Sequence, residues 1–147
     1  LSYQQPDALF RDALAGTLTL PGGGSFTFTA GTNLVSGPLR ASNEGTTTDP
    51  AASVEFAGGP PPIPYFGGAG TNGGDLYEAR LQVTVRSAPD SYDQGAQIGL
   101  AIRTKMHKAT IAGLLSCLAQ DSAPQFIGQD DTKRFRWLLN FSVRWEQ

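Results

Sequence analysis

Residues 133–147 alternate almost without fault. Phe135, Trp137, Leu139, Phe141, Val143 and Trp145 fall on one side, and Arg134, Arg136, Asn140, Ser142, Arg144 and Glu146 on the other. Leu138 alone breaks the pattern. A period of two places successive side chains on opposite faces of a strand, so this segment is a long strand with one apolar and one polar face. Residues 76–87 repeat the design. Tyr77, Ala79, Leu81, Val83 and Val85 share one face, while Glu78, Arg80, Gln82, Thr84 and Arg86 share the other. Two such ribbons require an antiparallel sheet that something covers on one side. What meets the polar side is then the functional question.

The cover comes from two helices. Over residues 6–15, Leu9, Phe10, Ala13 and Leu14 lie on one helical face and Gly16 offers a stop. A second helix is expected over residues 92–107, where Tyr92, Gly95, Ile98, Gly99, Ile102 and Met106 cluster on one arc. Asp90 and Ser91 compete as its N-cap, Ser91 with Gln94 forming a capping box. Gly95 and Gly99 each cost about 1 kcal/mol of helix propensity relative to Ala. Their shared face predicts that close contact with the sheet offsets that cost. Lys105, His107 and Lys108 suit the negative end of a helix.

Shorter pieces complete the layout. Residues 17–20 are extended, Pro21-Gly22-Gly23-Gly24 is a turn, and Phe26, Phe28 and Ala30 alternate with Thr27 and Thr29 in a strand. Residues 32–52 dissolve into Ser, Thr, Gly, Asn and Asp, and residues 53–56 form a short strand. The excess of 18 Gly and 10 Pro gathers in residues 57–75, predicting an irregular insertion or arm there. Pro60, Pro61 and Pro62 remove three backbone donors, so no central strand can run through them. Ile63, Tyr65 and Phe66 are the arm's only sticky residues and its candidate inter-subunit contacts. A strand near residues 116–120 and a loop over 122–131 precede the last strand. At 147 residues the chain reads as one α+β domain, with a mostly antiparallel sheet and helices on one face.

Chemistry-bearing constellations are sparse. One His and one Cys, without Cys-x-x-Cys or His-x-x-x-His spacing, give no intrachain transition-metal set. Cys117 lies among Leu114, Leu115 and Leu118 and reads as a small core residue. His107 reads as a helix-end cation rather than a base. Asp130 and Asp131, between Gly128 and Thr132, read as turn residues before cation ligands. Gly22-Gly23-Gly24 lacks the Lys-Ser/Thr of a phosphate loop. Pro60 to Pro64 fits a stiff segment better than a ligand for aromatic grooves. The expectation is therefore no catalytic residue, no metal and no cofactor.

A net charge of −2 argues against nucleic-acid or membrane binding driven by overall charge. With one cysteine, no apolar run of membrane-spanning length and no signal-peptide pattern, a soluble protein made in the cytoplasm is expected. The chain opens at Leu1 without Met, so a few preceding residues are expected. The polar faces do carry an arginine stripe, Arg80 and Arg86 on one ribbon and Arg134, Arg136 and Arg144 on the other. Two readings apply. One is a surface toward nucleic acid or an acidic partner; the other is a solvated sheet face with cross-strand pairs such as Glu78 with an Arg. No aromatic residue shares that face, which disfavours base stacking.

The second half also resembles a known family. Tyr77-Glu78-Ala79-Arg80-Leu81-Gln82-Val83 is followed by the helix from Tyr92, by Pro124-Gln125-Phe126-Ile127-Gly128-Gln129-Asp130, by Arg134, and by Leu139-Asn140-Phe141-Ser142-Val143. This succession is similar to that of the tail terminator proteins of tailed bacteriophages, also called minor capsid or tail completion proteins. It covers residues 76–147; residues 32–52 and 57–75 have no counterpart in it. The resemblance implies an α+β fold assembling as a homo-oligomer, a hexameric ring, at the head-proximal end of the tail tube. There it would end tube polymerisation and meet the tail tube protein and the head-closure or neck proteins, without catalysis and without a membrane. The expected location is the virion, assembled in the host bacterial cytoplasm. If a sheet face borders the lumen, the arginine stripe would face DNA that passes without sequence-specific binding. Another ring-forming neck or tube protein is the alternative within this class. A monomeric ligand-binding module is the alternative outside it.

Overall fold

A computed structural model describes residues 5–37, 49–65 and 74–146. The elements run in the order α1 (Pro6–Leu14), β1 (Gly16–Thr19), β2 (Ser25–Phe28), β3 (Leu34–Ser36), β4 (Ala51–Phe56), β5 (Ile63–Tyr65), β6 (Gly74–Pro89), α2 (Tyr92–Met106), β7 (Ser116–Ala119), β8 (Gln125–Gln129) and β9 (Arg134–Glu146). The fold is α+β, with two helices and a mostly antiparallel, strand-rich sheet.

The two alternating ribbons are neighbours. β6 and β9 pair antiparallel from Leu76 opposite Glu146 to Arg86 opposite Arg136, and like faces meet throughout. Leu81 faces Phe141 and Val83 faces Leu139 on the apolar side, while Arg80 faces Ser142 and Glu78 faces Arg144 on the polar side. A bulge after Arg86 lets Pro89 pair with Arg134. β4 and β5 both pair with the outer edge of β6, and β7 and β8 both pair with the outer edge of β9. β3 joins β4 in a parallel pairing.

Both helices lie on the apolar face, α2 over β6 and β9 and α1 over β3 and β4. Both glycines of α2 are closely covered, Gly95 by the sheet and Gly99 by the loop before β8. A Cβ on Gly95 would fall 2.6 Å from Trp137 Nε1, and one on Gly99 would fall 2.8 Å from Pro124 Cβ. Each contact is too close for any side chain, so the lost helix propensity is exchanged for close packing, of Gly95 on β9 and of Gly99 on Pro124 just before β8. Ile98, Ile102 and Met106 complete the contact with Leu81, Val83, Leu139 and Phe141 in one continuous core. Phe10 of α1 meets the ring of Phe141 at 5.0 Å. The β1–β2 hairpin also packs on α2, where Gly22 N–H donates to Gln97 Oε1 at 3.3 Å.

Several expectations need correction. The capping box at Ser91 does not form, since Ser91 Oγ donates to the Pro89 carbonyl instead. Lys105 does serve a helix C-terminus, but that of α1, donating to Leu14 O at 3.0 Å. His107 stands at the C-cap of α2, as expected, and its Nδ1 accepts the Ala119 N–H at 3.0 Å. Residues 122–131 are not all loop, because β8 adds a five-residue strand to β9. The described residues of the expected irregular arm lie on the sheet. Ala57 N–H donates to Arg80 O at 2.8 Å, Arg80 N–H donates to Gly58 O at 2.7 Å, and Ile63–Tyr65 re-pairs with β6. Of the candidate arm contacts, Ile63 is 62% exposed, the Tyr65 side chain and Phe66 lie outside the described residues.

Candidate functional site

The polar face of the β6–β9 ribbon carries all five candidate arginines, and the structure divides them. At one end Arg86 is fully buried and Arg134 nearly so. Register sets Arg86 directly opposite Arg136, a like-charge pairing that a sheet disfavours without a counterion. The counterion comes from outside the ribbon. Asp49, just before β4, holds Arg86 Nε with Oδ1 at 2.7 Å and Arg134 Nη1 with Oδ2 at 3.2 Å. Asp130 completes the cluster, holding Arg134 Nε at 2.9 Å and standing 3.8 Å from Arg136 Nη2.

Asp130 has a second task. Its Oδ1 accepts the Thr132 N–H, the Thr132 hydroxyl and the Arg134 N–H, all within 2.9 Å, and so closes the turn between β8 and β9. Burial alone would raise its pKa, but the bonds from Arg134 and Thr132, with the Arg134 charge, outweigh that and hold it below the usual carboxylate value. The turn reading of Asp130 therefore stands, with an ion-pair role added.

The other end is open. Glu78 Oε1 accepts the Ser142 hydroxyl at 2.7 Å and Arg144 Nε at 3.3 Å. The Ser142 bond lowers the Glu78 pKa; burial opposes it, and Arg144 and Arg80 add to the lowering. This is the cross-strand Glu–Arg pair that the alternation suggested. Arg80 is exposed, and its guanidinium has no ion pair or hydrogen bond among the described residues. It lines a groove of about 410 Å³ together with Gly59, Pro60, Glu78, Gln120 and Ser142. One wall is tight. A Cβ on Gly59 would overlap the Glu78 carbonyl oxygen, so the backbone at Gly59 lies flat on β6.

The expected five-arginine surface thus shrinks to Arg80, Arg144 and part of Arg136, whose side chain is 41% exposed. Arg86 and Arg134 cannot face a lumen or partner in this conformation. The missing signal was Asp49. Asp49-Pro50 is a turn dipeptide in a polar stretch, and nothing local tells which arginine its carboxylate will reach. Gln120 and Gly59 were missed for the same reason, since the groove joins segments far apart in sequence.

Other candidates fall into place briefly. Cys117 is buried, and burial pushes its thiol pKa up to about 12, the signature of an inert core residue. Among the described residues, no group of three or more His, Cys, Asp or Glu could hold a metal ion. No described helix is long and apolar enough to cross a membrane. No protein-family model matches the chain, and no curated protein matches it.

Proposed function

We propose that this chain is a structural, ring-forming virion protein of a tailed bacteriophage, acting at the head-proximal end of the tail tube. There it ends tube polymerisation and joins the tail to the neck proteins. What carries the reading is that several of the quoted motif residues hold structural positions in the fold. Pro124 packs on Gly99 of α2, Asp130 closes the β8–β9 turn and holds Arg134, and Asn140 N–H and Nδ2 are both held by Asp121. Contacts of this kind support the reading, because they give those pattern residues a part in holding the fold.

The surface supports assembly. Phe56, Ile63, Leu115, Leu118, Phe126 and Ile127 are large apolar residues, each at least 40% exposed, and all lie on or beside the outer strands. A ring is built from head-to-tail contacts between two different patches of each subunit. Apolar residues on both flanks of the β6–β9 ribbon give such contacts two patches to use. DNA would pass such a ring without sequence-specific contacts, since the polar face offers no aromatic platform.

Imaging particles that lack the protein tests this reading. Overlong tails identify a terminator, while tails of normal length on leaking heads identify a head-closure role. Mass measurement distinguishes the remaining class: a protein monomeric both in solution and with tail tubes is not a ring component.

A further inference from the structure

We propose that the exposed aromatic patch at the start of α2 receives the Pro60–Pro64 segment of a second copy of this chain, joining copies head to tail. The contact rests on the ring reading above only for its closure into a ring. Tyr92 stands at the centre of the patch. Its ring lies 5.4 Å from Phe126, 5.4 Å from Phe135 and 4.7 Å from Trp137, at 64°, 87° and 62°. Rings crossed in this way present ridges and clefts rather than one flat face. Trp137 is buried and ties the cluster to the core, whereas Tyr92 is 49% and Phe126 44% exposed, with Ile127 next to Phe126 at 46%. The Tyr92 hydroxyl bonds to no described residue, so it can donate to a ligand.

The chain itself carries the complementary surface. Residues 56–64 are all exposed. Pro60, Pro61 and Pro62 hold φ at about −65° and favour a polyproline II course, the form that docks on aromatic-lined grooves. Carbonyls along such a course have no internal partner and accept from donors such as a tyrosine hydroxyl. The segment is held at both ends, since Arg80 N–H donates to Gly58 O at 2.7 Å and Ile63 pairs with Leu76. Stiffness here serves recognition, because a bow fixed before contact loses little conformational entropy on binding. Residues 57–64 and residues 125–129 contain no charged side chain, so the two surfaces match in being neutral and apolar.

The two surfaces cannot meet within one chain. The proline segment is tied to the outer edge of β6, and β8 lies beyond β9, so the paired ribbon separates them. They also lie toward opposite ends of that ribbon, Ile63 beside Leu76 and the patch around Trp137, which faces Val85. Each copy therefore offers one proline surface and one aromatic surface, the arrangement of a heterologous contact.

The test titrates the full chain with acetyl-Gly-Pro-Pro-Pro-Ile-Pro-amide, the sequence of its own residues 59–64, and follows resonances by NMR. Saturable shifts at Tyr92, Phe126 and Ile127 are expected, and none with acetyl-Gly-Ser-Ser-Ser-Ile-Ser-amide. Phe126→Ala should weaken peptide binding about tenfold, as truncating a central aromatic anchor does. Sedimentation then reads the contact between copies. The unaltered chain should associate as its concentration rises, while Phe126→Ala and the double variant Pro61→Ser with Pro62→Ser each stay monomeric alone. Mixed in equal amounts, these two folded variants should form one-to-one dimers and nothing larger, because each keeps the surface that the other lacks. Equal shifts with the serine peptide, shifts away from Tyr92, or a mixture that stays monomeric overturn the proposal. Peptide binding by a chain that is monomeric at every concentration also overturns it, and makes the patch a receptor for another protein's proline-rich segment. Tail length in particles lacking the protein is a separate readout, so this contact and the terminator reading fail independently.

Discussion

The two ends of the β6–β9 polar face begin from the same design and finish in opposite states. Each places arginines on alternating positions of paired strands. At the Arg86 end two of them are sealed under carboxylates; at the Arg80 end they stand in solvent beside a groove. Local sequence is nearly the same in kind. The difference is a carboxylate brought in from 37 residues away. An arginine on a polar sheet face is therefore surface or core according to which segment crosses it, and the strand pattern alone is silent on that.

The largest effect should come from breaking the closed end. Asp49→Ala leaves Arg86 buried beside Arg136 and Arg134 without their bridging anion, and removing one partner of a buried ion pair costs about 3–5 kcal/mol. Urea unfolding measures this. A loss below 1 kcal/mol would mean that the cluster is not sealed from water. On the opposite face, Gly95→Ala tests whether the ribbon is as tightly covered as it is on its closed polar end. Alanine favours the helix by about 1 kcal/mol, but its methyl group meets Trp137, and overpacking of this kind costs about 1–3 kcal/mol. Net destabilisation is expected, and stabilisation would show that α2 lifts easily from the sheet.

Acid should act on both ends through Asp130 and Glu78. Both pKa values are lowered in the folded chain, so each contributes stability that is complete above the ordinary carboxylate values and lost as pH falls through the lowered ones. The unfolding midpoint should thus hold from neutral pH to the upper carboxylate range and then decline. Asp130→Asn and Glu78→Gln should each flatten the decline, and an unchanged slope in both would break the assignment. The smallest effect belongs to Arg144→Ala. Its side chain is 50% exposed, and such an ion pair contributes at most about 1 kcal/mol. Comparing it with Asp49→Ala in one unfolding series measures the contrast between the two ends directly.

Much of the scaffold was legible because it rests on periodicity. Both long ribbons, both helices and the buried glycine face of α2 follow from spacings of two and of three to four residues. β8 was not legible. Gln125–Gln129 is short and uncharged, contains a bulge and buries little, so it carries no alternation to read. β3 hid in a polar stretch, where three residues and one parallel pairing leave no pattern. The pairing of Ile63–Tyr65 with β6 was concealed by composition. Prolines rule out a central strand, yet they allow the chain to leave one edge of β6 and rejoin it.

Alternation in residues 133–147 and 76–87 dictated two long strands, each with one apolar and one polar face, because it is a property of each strand alone. That the two strands are neighbours came from the fold. Tertiary structure decided the fate of the polar face. Whether an arginine there is buried, paired or open depends on long-range encounters, with Asp49 at one end and with Gly59 and Gln120 at the other. Charge interactions act through space between segments whose separation in the chain carries no periodic trace, so only the folded arrangement assigns them.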